Sequence, residues 1–242
     1  MTIQRCFFIY FLSLVSLNSV KSQVTLKDPA SGLNYLIQKG INDNVIILLH
    51  GYGSNDKDLF ELARVIDNNA TIICPRGPIM YNLDSSSWYD IVFRNDGNHK
   101  RNAVQANSSL EKIELFTKSV LIKHNIKGAV IIGGFSQGAI LSLASSLINP
   151  SLYDGVIALS GMLLSDSLKP AQNQFDSLKI FCGHGTEDQL IPISQGRKCS
   201  TLVKTTKANL TYKEYPCEHT ISRQEVSDIK LWYYNCFNSN TH

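Results

Sequence analysis

The chain has 242 residues, 43% of them hydrophobic and 18% charged, with a formal net charge of +3. That is enough apolar material for one sizeable core, and one domain is the simplest count. The charge is small and spread without runs, so it leaves no electrostatic footprint for nucleic acid and argues against such a partner.

In chain order, the first feature is a leader. Arg5 precedes the apolar run Cys6 to Leu17, which falls short of the ~20 residues a membrane-spanning helix needs, so no stable membrane span is expected. Small residues follow, with Val20 and Ser22 placed for cleavage before Gln23. The pattern reads as a secretory signal peptide over residues 1–22, followed by a single catalytic domain over 23–242; an uncleaved anchor is the alternative. Removing Cys6 leaves Cys74, Cys182, Cys199, Cys217 and Cys236, an odd number, so at least one thiol stays free. Cys74 and Cys182 lie in apparent core strands, so a disulfide is expected between two of Cys199, Cys217 and Cys236, with the pairing open. No spacing resembles a zinc site, and no metal or cofactor is implied. Sequons at Asn69, Asn107 and Asn209 are glycan acceptors in a secreted chain.

Strand signals run over Tyr35–Gln38, Val45–Leu49, Thr71–Cys74, Ala129–Ile132, Gly155–Leu159, Leu178–Cys182 and Leu210–Tyr215. Helical patterns lie between them at Lys57–Ile66, Leu110–His124, Gln137–Leu147, Ile193–Thr205 and Ser222–Cys236. In the second helix Leu110, Ile113, Phe116, Val120 and Leu121 recur at helical spacing, with Ser109, Glu111 and Lys112 suited to its first turn. The polar stretch Arg94–Asn107 reads as a surface loop. Alternation of strand and helix predicts an α/β fold, a mainly parallel sheet with helices on both faces. Ligands bind outside the carboxyl ends of the strands in such a sheet.

One turn stands out. Gly134-Phe135-Ser136-Gln137-Gly138 joins a β-branched strand to an apolar helix, the setting of a nucleophile elbow: glycines relieve crowding at a strained turn and the serine Oγ is left exposed. A serine nucleophile needs a base, and the base needs an acid to hold its tautomer. Chain order in this fold is serine, acid, histidine. His50, His99 and His124 precede the serine, His184 precedes the best acid, and His242 is terminal. His219 remains, directly after the last strand and before the last helix. For the acid, Asp188 follows the Leu178–Cys182 strand and is preferred, with Asp166 and Glu187 as rivals. The oxyanion hole is assigned to the backbone N–H groups of Gln137 and Tyr52, the latter in the tight turn His50-Gly51-Tyr52-Gly53. Leu163 and Leu164, just past the Gly155–Leu159 strand, are candidates to line an acyl groove.

Taken together, Leu48 to Leu59, Cys74-Pro75-Arg76-Gly77-Pro78, Trp88-Tyr89-Asp90, the Ser136 pentapeptide, His184-Gly185-Thr186-Glu187-Asp188 and His219 resemble the phospholipase/carboxylesterase family of α/β-hydrolases, from about Gly32 to Cys236. That group includes acyl-protein thioesterases and small bacterial carboxylesterases. The resemblance implies Ser136, Asp188 and His219 as a catalytic triad and places Trp88 beside an acyl-binding groove. Two features depart from the family pattern: Ser54 stands where many relatives have glycine, and the leader contrasts with the cytosolic location of the familiar thioesterases. The expectation is a secreted serine esterase acting on small-molecule or lipid carboxylic esters or thioesters. A lysophospholipase, an acylated-sugar esterase and a secreted non-catalytic binding protein are the alternatives. Oligomeric state is left open.

Overall fold

The computed structural model describes residues 23–93 and 99–238. The expected leader over 1–22 and the terminal His242 lie outside the described residues. The strands are β1 (Val24–Lys27), β2 (Asn34–Gln38), β3 (Val45–Leu49), β4 (Thr71–Pro75), β5 (Ile79–Asn82), β6 (Ser85–Ser87), β7 (Ile91–Phe93), β8 (His99–Arg101), β9 (Val130–Phe135), β10 (Gly155–Leu159), β11 (Lys179–Gly185) and β12 (Asn209–Tyr215). The α-helices are α1 (Phe60–Ile66), α2 (Ala103–Lys123), α3 (Gln137–Ile148), α4 (Ile193–Lys204) and α5 (Arg223–Phe237).

An 8-stranded sheet runs in the order β1-β2-β4-β3-β9-β10-β11-β12. From β4 to β12 every pair is parallel, and β2 is antiparallel to both its neighbours. The α/β expectation holds. Central strands buried on both faces are continuously apolar, and their alternate side chains feed two cores. Val45, Ile47 and Leu49 of β3 join Ile132 of β9 and Val156 of β10 on the face covered by α2, α3 and α4. Ile46, Leu48, Ile131 and Ile157 point the other way, toward Phe60 and Leu62 of α1 and Ile229, Trp232 and Tyr233 of α5.

Three expectations are corrected. The second long helix begins at Ala103, not Leu110, so the end of the stretch expected as a loop is helical. The Asn102 side chain caps this helix by accepting from the Gln105 N–H at 3.2 Å. Its early core-facing positions are Ala106 and Ser109, too small or polar to show as an apolar stripe. Ser109 is thus buried in mid-helix instead of serving a first turn. Second, His99–Arg101, within the stretch expected as a loop, is strand β8, which pairs with β7 in a small hairpin outside the main sheet, as β5 does with β6. Third, none of the cysteines among the described residues is in a disulfide. Cys199 packs in the core under α4, whereas Cys217 and Cys236 pack against the opposite core, so the sheet stands between them.

Candidate active site

Ser136 lies where β9 turns directly into α3, with φ +53° and ψ −116°, backbone angles that side-chain-bearing residues seldom adopt. Its N–H donates to the Leu159 carbonyl at 2.9 Å, and its own carbonyl accepts from Ile140 at 3.0 Å. The turn closes only because Gly134 and Gly138 lack side chains: a Cβ on either would overlap the Leu49 carbonyl oxygen of β3.

His219 follows β12 and is 7% exposed, its ring against Phe135 with centroids 4.7 Å apart. Its Nδ1–H donates to Asp188 Oδ2 at 2.6 Å, which leaves Nε2 to accept from the Ser136 hydroxyl at 2.9 Å. Asp188 follows β11 and is buried, and its other oxygen accepts from the Leu190 and Ile191 N–H groups at 2.9 and 2.8 Å. Burial pushes this carboxyl up, but the bonds from His219 and Ile191 and the neighbouring imidazoles prevail and leave it below the ordinary value. The site therefore holds an ionised acid, a histidine of defined tautomer and a hydroxyl in one hydrogen-bonded line. The rivals stand apart: Asp166 and Glu187 are both exposed.

His184 stands beside this line. Its Nε2–H donates to the Ile191 carbonyl at 2.7 Å and lies 3.5 Å from Asp188 Oδ2. Burial holds this imidazole below its usual pKa, against the opposing pull of the Ile191 bond and the Asp188 charge, and its bond to Ile191 supports the Asp188 loop.

The turn after β3 approaches from the other side. A Cβ on Gly51 would lie 3.5 Å from Phe135 Cδ1 and 3.6 Å from Ser136 Cβ, so the backbone of this turn passes close to the serine. Tyr52 is exposed, as is Gly53, which closes the turn at φ +76°. Gln137 is the first residue of α3, whose first-turn N–H groups have no intrahelical carbonyl to bond. His50 is buried, and burial drives its imidazole down to about 4, so it is neutral. Its Nδ1–H donates to the Gly51 carbonyl at 2.7 Å, and its Nε2 accepts from the Gly77 N–H at 2.9 Å.

Trp88 is a correction to the expected groove residue. It is fully buried, and its indole N–H donates to the His50 carbonyl at 3.0 Å. It therefore supports the site from behind and lines no open groove. Leu163 and Leu164 are half-buried just past β10, and the Leu163 carbonyl accepts from Arg101 at 3.0 Å. Sequence reading missed the side chain of Gln137. Its Oε1 accepts from the Trp88 N–H at 2.8 Å and its Nε2 donates to the Tyr89 carbonyl at 2.7 Å. No local pattern marks that contact, because its partners lie far back in the chain.

Glu225, in the first turn of α5, was also missed, although Ser222-x-x-Glu225 is a readable capping box. Its carboxyl is fully buried against Gly183, and Oε1 meets no hydrogen-bonding partner among the described residues. Burial pushes its pKa up from 4.5 to about 8, the Asp228 charge adds to the rise, and the Ser222 N–H opposes it. Below pH 4.5 the acid is protonated in folded and unfolded chains alike. As pH climbs from there toward 8 only the unfolded chain ionises, so the folded state loses stability across that window. Glu225→Gln keeps an acceptor for the Ser222 N–H and removes the titration. It is expected to stabilise the protein by a few kcal/mol (roughly 2–4) more at pH 8.5 than at pH 4.5. Chemical denaturation at the two pH values checks this, and a gain independent of pH counts against a protonated Glu225.

Among the described residues no group of three or more His, Cys, Asp or Glu side chains is arranged to hold a metal ion, and no helix is long and apolar enough to cross a membrane.

Comparisons with known proteins agree in kind. A family model described as Phospholipase/Carboxylesterase matches residues 37–236. Acyl-protein thioesterase 1 of Debaryomyces hansenii is 30% identical over 203 residues, covering 76% of this chain and 88% of that protein. The protein of the same name from Candida albicans is 30% identical over 205 residues, with coverage of 76% and 88%. A solved carboxylesterase of Bacillus cereus shares the fold, with a TM-score of 0.75 at 22% identity over 85% of this chain and 95% of that one.

Proposed function

The chain belongs to the phospholipase/carboxylesterase family of α/β-hydrolases and is a serine hydrolase of carboxylesterase or acyl-protein thioesterase type, and from that premise we infer that it is a secreted esterase working through Ser136, His219 and Asp188. The observation that carries this reading is the hydrogen-bonded line from Ser136 Oγ to His219 at 2.9 Å and from His219 to Asp188 at 2.6 Å. In the proposed cycle Ser136 Oγ attacks the acyl carbonyl while His219 Nε2 takes its proton. The oxyanion so formed accepts from the Tyr52 and Gln137 N–H groups, and the imidazolium is stabilised by Asp188. His219 then returns the proton to the leaving alcohol or thiol, and an acyl-enzyme remains. Water, deprotonated by the same imidazole, attacks that ester and releases the acid.

The substrate class is a carboxylic ester or thioester with an apolar acyl chain, directed toward the half-buried Leu163 and Leu164. Secretion is supported by the leader over residues 1–22. The sequon asparagines Asn69, Asn107 and Asn209 are exposed, as glycan acceptors must be.

A p-nitrophenyl ester series from acetyl to palmitoyl tests the reading, together with labelling by a serine-directed phosphonate. Turnover and covalent labelling are both expected, with a chain-length optimum that sizes the acyl site. A folded protein that neither turns over any ester nor takes the label overturns it.

A further inference from the structure

The two proposed oxyanion donors come from separate turns. The Gln137 N–H belongs to the turn after β9, and the Tyr52 N–H to the turn after β3. The strands are paired up to Leu49 opposite Gly134. Beyond that pair β3 and β9 are no longer bonded to each other, although Phe135 still pairs with Leu159 of β10, so the β3–β9 ladder no longer sets the separation of the two turns. A difference of an ångström between two such donors changes how well they bind a developing oxyanion.

A third segment joins them. At one end, the Gln137 side chain is bonded to successive residues of Trp88–Tyr89, accepting from one N–H at 2.8 Å and donating to the next carbonyl at 2.7 Å. These two bonds allow the side-chain amide only one orientation. At the other end, the Trp88 indole donates to the His50 carbonyl at 3.0 Å. The His50 ring, held by the Gly77 N–H, donates in turn to the Gly51 carbonyl at 2.7 Å. That carbonyl shares a trans peptide with the Tyr52 N–H, and in a planar trans peptide the two groups point in opposite directions. Anchoring the carbonyl therefore aims the N–H. From behind, the Ser109 hydroxyl donates to the Trp88 carbonyl, and Gln105 bonds the Asp90 N–H at 2.8 Å and the Asp90 carboxylate at 2.9 Å. The segment is thus tied to α2 as well as to both turns.

We propose that Trp88–Tyr89 is a brace that fixes the two oxyanion amides relative to each other, with the side chains of Gln137, Trp88 and His50 as its positioning residues. The brace rests on the esterase reading above and adds the means by which its oxyanion hole is held in shape. Its members touch no substrate and act only through the two amides.

The test uses Gln137→Met, which keeps the backbone N–H but loses both side-chain bonds, and Trp88→Phe, which keeps one aromatic ring at this buried position but removes the N–H with the rest of the indole. Each is expected to lower kcat on p-nitrophenyl butyrate about 10- to 100-fold with KM changed less than about twofold, because the interaction lost is realised in the transition state. Affinity for an alkylboronic acid, whose tetrahedral adduct occupies the same hole, should fall in parallel. The double variant should fall little further than the worse single one, since one brace is broken only once. A folded single variant with wild-type kcat overturns the brace, as does a loss confined to KM or a double variant whose losses multiply. If Gln137→Met fails to fold, Trp88→Phe decides. Failure of the esterase reading looks different: there the wild type itself neither turns over ester nor takes the phosphonate.

Discussion

Ser136→Ala is expected to lower kcat by roughly 10³–10⁶-fold while KM and unfolding temperature stay near the parent values. The substitution removes the hydroxyl proposed to attack the acyl carbon and leaves every other part of the site in place. Alanine keeps the Cβ, so the unusual backbone at φ +53° is neither relieved nor worsened. The hydroxyl donates only to His219 at 2.9 Å, and the imidazole remains held by Asp188. Residual turnover is expected, because the oxyanion donors and bound water still act on the ester. Rates on the best p-nitrophenyl ester, with circular dichroism of the same sample, check the prediction. A folded variant within tenfold of the parent would remove Ser136 from the chemistry.

The second large effect falls on folding. Gly138 is the second residue of α3, and a Cβ there would meet the Leu49 carbonyl oxygen and carbon and, at 2.8 Å, the His50 oxygen. All are backbone atoms of β3 and its turn, with no flexible tip to swing aside. Alanine is the better helix former by about 1 kcal/mol, but overlap with fixed backbone outweighs that gain. Gly138→Ala is expected to destabilise the fold by about 3 kcal/mol or more, with loss of folded yield. Urea titration gives the number, and a change below about 1 kcal/mol counts against so close an approach of α3 to β3.

Most of the frame was readable from the residues. Val45–Leu49 and Gly155–Leu159 are strands with the expected bounds, because β-branched runs between turn residues have few other options. Chain order and places after strands single out Ser136, Asp188 and His219, and the topology brings these three side chains into one hydrogen-bonded line. The rest lacked a local signal. The start of α2 buries Ala106 and Ser109, which carry no hydrophobic period. Strands such as Ser85–Ser87 and His99–Arg101 are short and polar, with no alternation to read. The family resemblance implies Trp88 beside a groove, and only contacts such as the one with His50, which the sequence does not display, assign it to the core. For Cys199 the reason is similar: spacing along the chain does not reveal that it lies across the sheet from Cys217 and Cys236.

The sheet order has a kinetic consequence. β3 lies beside β9, although residues 50–129, with α1, β4 to β8 and α2, intervene in the chain. The turn bearing Tyr52 and the turn bearing Ser136 meet only once that long excursion has folded back and the two strands have zipped. Contacts of such sequence separation form late and slowly. Recovery of esterase activity on refolding thus acts as a clock for closure of the sheet's centre, running behind the return of helical signal.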